Sequence, residues 1–116
     1  MPRHLLLLSS DLMAATRLSA PGVAITRVSS PAAAIPAVEH DAVLLDLQSW
    51  PEDVPAAVAR ARGAAGSHGV VIAFGPHVWK DQLDAAVHAG VDAAVSRGEV
   101  MGGLSALLAR FGIHGG

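Results

Sequence analysis

The chain has 116 residues, 52% of them apolar and 3% aromatic, with a formal net charge of −2 and no cysteine. This length suits one domain that buries its own core, and the lack of cysteine excludes a disulfide framework, a thiol nucleophile and a thiolate metal site. The 8 basic residues are scattered and have no aromatic platform beside them, so we expect no nucleic-acid binding by this chain alone.

No apolar run approaches the roughly 18 residues that a membrane span needs. The leucine run at residues 5–8 is also too short for the apolar region of a signal peptide. We therefore expect a cytoplasmic protein that makes no membrane contact.

Short apolar runs rich in Val, Leu and Ile recur along the chain. They lack polar alternation, which is typical of strands buried on both faces of a parallel sheet. The predicted strands span residues 5–8, 23–25, 42–47, 70–74 and 93–95.

Ala-rich segments with helix signals separate these strands. Ser10 or Asp11 is placed to cap the first helix, Ser30 and Pro31 open the second, and Gly90 suits a left-handed end to the fourth. Pro36 shortens or kinks the second helix, and the last helix carries one apolar stripe from Met101 to Phe111. The predicted helices span about 11–18, 31–39, 51–65, 78–89 and 101–111.

The alternation of strands and helices predicts a flavodoxin-like α/β fold. Right-handed crossovers place helices on both faces of a doubly wound, five-stranded parallel sheet, for which we expect the strand order 2-1-3-4-5. Residues 1–112 are predicted to form one domain, and residues 113–116 a flexible tail.

In such sheets, ligands bind beyond the carboxyl ends of the strands. Asp46 is the most informative residue there, because it follows a buried apolar run and a charge at that place needs a partner or a function. Asp46 either caps a backbone amide of the loop at 48–50 or belongs to a site. The other candidates at these strand ends are Ser9, Ser10, Asp11, Gly75, His77 and Arg97.

Three segments of the sequence resemble the receiver domains of two-component response regulators. DAVLLDLQSWPED is similar to the third strand with its phosphoacceptor aspartate, VVIAFGPHV to the fourth strand, and HAGVDAAVSRGEV to the stretch around the signature lysine. The intervals of 29 positions from Asp46 to Gly75, and of 22 from Gly75 to Arg97, also fit that family. The chain resembles the chemotaxis-regulator type of receiver. It resembles a degenerate member, because the residues of the phosphorylation site are changed.

The resemblance implies which residues occupy the phosphorylation site. The acidic pair that holds Mg²⁺ falls on Ser9 and Ser10, the hydroxyl residue on Gly75, the switch aromatic on Ala94 and the lysine on Arg97. Only Asp46 keeps its type. Mg²⁺ prefers carboxylate ligands, so we expect no Mg²⁺ site and no cofactor, and ordinary phosphorylation switching is disfavoured. Asp11 either substitutes for the lost acids or only complements the first helix.

The sequence therefore favours a non-catalytic, receiver-like signalling or interaction module. We expect a protein partner or a homodimer, with the last helix as the contact face. Two alternatives stay open: a small-molecule domain that binds an anionic or polar ligand in the strand-end crevice, and a receiver still phosphorylated on Asp46. No nucleophile–base pair, phosphate-binding loop or metal-ligand spacing of histidines indicates an enzyme. His77 is either a ligand contact or a solvated loop residue.

Overall fold

The computed structural model describes residues 3–29, 40–50 and 53–113. They form a five-stranded, all-parallel sheet in the order 2-1-3-4-5, as the sequence predicts. The strands are β1 Arg3–Leu8, β2 Val23–Val28, β3 His40–Asp46, β4 Ala65–Gly75 and β5 Ala93–Ser96. The helices are α1 Leu12–Arg17, α2 Val54–Ala64, α3 Lys80–Ala89 and α4 Arg97–Ala109, and a 3-10 turn covers Leu47–Ser49.

The central strands separate two hydrophobic cores. Successive side chains of a strand point to opposite faces, so Leu6 and Leu8 of β1 pack into one core and Leu5 and Leu7 into the other. All four leucines are fully buried. Burial on both faces explains why these runs show no polar alternation.

Side chains cap three of the helices at their first turns. Asp11 accepts a hydrogen bond from the Met13 amide at 2.9 Å, Asp53 accepts one from Ala56 at 3.1 Å, and Ser96 accepts one from Glu99 at 3.3 Å. Gly90 ends α3 with φ of 110°, the left-handed region that favours glycine. The predicted helix at 31–39 and residues 51–52 of the next one lie outside the described residues.

Strand β4 starts at Ala65, five residues before the run that predicted it. The register shifts between His40 and Ala42, so the segment 65–69 forms an irregular start of the strand. A Cβ on Gly69 would lie 2.7 Å from the His40 carbonyl oxygen. Close backbone approach requires glycine there, and a polar, glycine-containing segment gives no strand signal.

The last helix confirms the predicted apolar stripe but is bent. Leu104, Leu107 and Leu108 are buried, whereas Gly103 departs from helical geometry with φ of −161° and ψ of 48°. Ile113, the first residue of the predicted tail, packs against the core, and its amide donates to the Leu108 carbonyl at 3.1 Å. Residues 114–116 lie outside the described part. Across the described ranges, no helix is long and apolar enough to cross a membrane.

Candidate functional site

The predicted crevice residues converge at the carboxyl edge of the sheet. Asp46 ends β3 directly beside Phe74 of β4, and Ser9 follows the last residue of β1. The Ser9 amide donates to the Val28 carbonyl at 3.1 Å, which prolongs the ladder of β1 with β2 by one residue. Ser9 therefore keeps the side-chain direction of the strand, and its hydroxyl faces Asp46.

The Asp46 carboxylate is buried, and both of its oxygens accept hydrogen bonds. The residue is 1% exposed; its Oδ2 accepts a hydrogen bond from the Ser9 hydroxyl at 2.7 Å, and its Oδ1 accepts one from the Gln48 amide at 3.0 Å. The second bond caps the 3-10 turn. The two interpretations of Asp46 are thus compatible: it caps the following loop, and it lies at the centre of the crevice.

Arg97 reaches into the crevice from the first turn of α4. Its Nη1 lies 3.4 Å from Asp46 Oδ2 and 3.4 Å from Gln48 Oε1, and its Nη2 contacts Asp11 Oδ2. The guanidinium carbon lies 5.7 Å from the centre of the Phe74 ring, within the range of a cation–π contact. The side chain is 28% exposed, so Arg97 is held on several sides.

The second acid that pairs with Arg97 is distant in sequence and is not its neighbour Glu99. Glu99, the neighbouring acid, lies instead 3.9 Å from Arg110 on the surface. Asp11, 86 positions away, forms the second ion pair of Arg97. Asp11 caps α1 with one oxygen and contacts Arg97 in the crevice with the other, so it does more than complement the first helix.

Ser10 is not equivalent to Ser9. It is exposed, its amide donates to Ser49 Oγ at 2.8 Å, and the two hydroxyls lie 3.1 Å apart. These contacts fasten the loop after β1 to the 3-10 turn. The sequence indicated only the backbone amides of this loop; the side-chain contacts of Gln48 and Ser49 were missed, because nothing in their types or spacing distinguishes them from other loop residues.

Gly75 and His77 take different places in the following loop. Gly75 is buried, and an added Cβ would lie 3.8 Å from Leu47 Cβ and 4.0 Å from Trp79 Cε3, which are ordinary contacts. The crevice therefore has room for a side chain at this position. His77 is exposed, and no hydrogen bond or ion pair in the described part of the chain joins it to Asp81 or to the crevice.

The donors at this edge do not fit Mg²⁺. That ion prefers anionic oxygens in near-octahedral geometry. Ser9 is a neutral hydroxyl that donates a hydrogen bond to Asp46, Ser10 faces Ser49, and the Asp11 and Asp46 carboxylates both contact Arg97. Among the described residues, no group of three or more His, Asp or Glu side chains is placed to hold a metal ion. The cation in contact with Asp46 is Arg97.

Comparison with solved structures shows that this is the fold of receiver domains. A two-component response regulator from Clostridium difficile aligns with a TM-score of 0.75 at 13% identity, over 94% of this chain and 94% of its own. The receiver domain of a sensor histidine kinase from Pseudomonas aeruginosa, with a magnesium ion coordinated in its active site cleft, gives 0.68 at 18% identity, over 97% and 100%. A Burkholderia pseudomallei response regulator with a phosphorylated aspartic acid, a calcium ion and citrate gives 0.71 at 16%, over 95% and 69%. No protein-family model and no curated protein matches the chain.

Proposed function

We propose that this chain is a non-catalytic signalling or interaction module of receiver fold, acting in the cytoplasm without Mg²⁺-dependent phosphorylation of Asp46. One observation carries this proposal: the Asp46 carboxylate is 1% exposed, and both of its oxygens are engaged by Ser9, Gln48 and Arg97. An oxygen that attacks a phosphoryl donor must have a free lone pair directed at the phosphorus. Here Oδ2 already contacts Ser9 and Arg97, and Oδ1 accepts from the Gln48 amide, so attack on a phosphoryl donor would compete with these contacts.

Stabilisation of the transferring phosphoryl group is also weak at this edge. Phosphoryl transfer depends on cations that neutralise charge on the equatorial oxygens. Arg97 is the cation in contact with Asp46, and its guanidinium is shared with Asp11. The hydroxyl that would bind the phosphoryl group has no counterpart at Gly75. An anionic small ligand would meet the same obstacle, since Arg97 is already paired.

The contact face for a protein partner is the outer side of α4. Small residues at Gly98, Gly102 and Ala106 line a shallow groove of about 380 Å³, to which Glu99 and Arg110 also contribute. A groove without large side chains lets another backbone approach closely. We assign this face to a second copy of the chain or another protein, with no role for nucleic acid or membrane.

The phosphorylation part is tested with acetyl phosphate and Mg²⁺, followed by intact-mass spectrometry. A receiver domain with its acidic pair and lysine serves as the positive control in the same assay. We expect the control to gain a phosphoryl group and this chain to gain none. Phosphorylation of this chain that disappears in Asp46→Asn would contradict the proposal.

The contact face is tested by sedimentation velocity over a range of concentrations. Gly102→Arg fills the groove on α4, whereas Gly63→Arg adds the same side chain to α2; an added Cβ meets no atom within 4 Å at either position. We expect self-association that only the first change weakens, by about tenfold or more. Equal weakening by both variants would refute the assignment to α4, and a monomer at all concentrations would leave another protein as the partner.

A further inference from the structure

The crevice contains a cation that belongs to the chain itself. Resting on the function proposed above, we propose that the Arg97 guanidinium is the resident cation of the strand-end crevice, and that Asp11 is the residue that positions it. The Pseudomonas aeruginosa receiver domain holds a magnesium ion in its active site cleft. In this chain Arg97, at the position that the resemblance gives to the lysine, bridges the two carboxylates of the crevice and supplies their counter-charge.

The geometry of the two ion pairs supports this role. Nη1 of Arg97 lies 3.4 Å from Asp46 Oδ2, while Nη2 contacts Asp11 Oδ2, so the guanidinium bridges two carboxylates. The planar, permanently charged fork of arginine suits such bridging better than a single ammonium group does. Because Asp11 and Asp46 lie 35 positions apart in sequence, only the folded chain creates this pair of acids.

Burial explains why the crevice needs a charge and not only hydrogen bonds. The Asp46 side chain is 2% exposed, and an ionised carboxylate at that depth is costly without a counter-charge. Ser9 and Gln48 supply neutral donors. Arg97 supplies the counter-charge. Its guanidinium group contacts the Phe74 ring and Gln48 Oε1, which hold it beside Asp46.

Asp11 is fixed in place by the start of the first helix. Its amide donates to Ser9 Oγ at 3.1 Å and its Oδ1 accepts from the Met13 amide at 2.9 Å, which leaves Oδ2 for Arg97. Ser9 thereby touches both acids of the crevice. The beginning of α1 and the beginning of α4 are joined through a single arginine side chain.

The consequence is a latent cation site that Arg97 occupies. Removing the guanidinium leaves two carboxylates facing one crevice without a counter-charge, and such oxygens bind hard divalent cations. We therefore expect Arg97→Gln to bind Mn²⁺ at least about tenfold more tightly than the wild-type chain does. The gain disappears in Arg97→Gln combined with Asp11→Asn.

Calorimetry and water-proton relaxation with Mn²⁺ as the probe measure this gain. Arg110→Gln is the matched control, because it removes the same charge at the residue that ends the same helix, from an exposed pair with Glu99. Equal Mn²⁺ affinity of Arg97→Gln and Arg110→Gln would overturn the proposal. Tight Mn²⁺ binding by the wild-type chain would instead overturn the proposed function, so the two failures are distinguishable.

A second measurement covers the case in which Arg97→Gln does not fold. In Asp11→Asn the guanidinium keeps Asp46 but loses its positioning partner. We expect hydrogen exchange of the Arg97 side-chain N–H groups, followed by NMR, to accelerate by about tenfold or more. An unchanged exchange rate would show that Asp11 does not position Arg97.

Discussion

The hydroxyl of Ser9 and the carboxylate of Asp46 form a buried hydrogen bond of 2.7 Å between the ends of two neighbouring strands. Replacing Ser9 by alanine removes one donor from a carboxylate that is 1% exposed, and also removes the acceptor of the Asp11 amide. We expect Ser9→Ala to lower the free energy of unfolding by about 1–3 kcal/mol, the cost of an unsatisfied buried polar group. Urea unfolding measures the loss.

Ser10→Ala is the control for that measurement. Ser10 is exposed, and the bond from its amide to Ser49 Oγ survives the change. We expect an effect within about 0.5 kcal/mol. Similar losses in both variants would show that the Ser9–Asp46 hydrogen bond does not stabilise the fold more than an exposed contact does.

The ion pair of Asp46 and Arg97 predicts energetic coupling. In a double-mutant cycle with Asp46→Asn and Arg97→Gln, the two losses should fall short of additivity by about 0.5–3 kcal/mol, because each change alone leaves the other side chain without its partner. Urea unfolding of the four proteins gives the coupling. Simple additivity would mean that the 3.4 Å contact does not couple the two side chains energetically.

The close approach at Gly69 predicts opposite effects at two glycines. In Gly69→Ala the new Cβ would lie 2.7 Å from the His40 carbonyl oxygen, so the start of β4 must shift, at a cost of about 1–3 kcal/mol. Gly63 lies in α2 with no atom within 4 Å of an added Cβ. There, alanine should raise stability by up to about 1 kcal/mol, since it favours helix. Thermal melts compare the two variants, and stabilisation by Gly69→Ala would contradict the bulged register.

Arg62 of α2 fastens two segments outside the crevice, the start of β4 and the loop between α3 and β5. Its guanidinium donates to the Gly69 carbonyl at 3.2 Å, to the Gly90 carbonyl at 2.9 Å and to Asp92 at 2.8 Å. These groups are partly exposed, so we expect Arg62→Met to cost only about 1 kcal/mol, with the loss shrinking at high salt. Arg17→Met, on the exposed end of α1, should change the midpoint of urea unfolding little. An equal loss of unfolding free energy in both variants would show that the hydrogen bonds of Arg62 do not stabilise the fold.

The glycine-containing segment before β4 illustrates what sequence periodicity misses. Residues 70–74 are recognisable because buried parallel strands are continuously apolar. The segment 65–69 has no such run, and it joins the strand because Ala65 pairs with His40 and the register then shifts. Backbone hydrogen bonding without a buried side-chain pattern leaves no signal in the sequence.

The sequence by itself determined the sheet and the edge at which the candidate site lies. Each apolar run predicts a strand, and the carboxyl ends of parallel strands share one edge, so the sequence placed Ser9, Asp46 and Arg97 at that edge. Only the tertiary structure decided that Ser9 faces inward while Ser10 faces Ser49, and that Asp11 joins Arg97. Side-chain direction reverses with every residue along a strand, and a contact between residues 86 positions apart depends on how two helix starts are oriented across the sheet. Neither is encoded in local residue patterns.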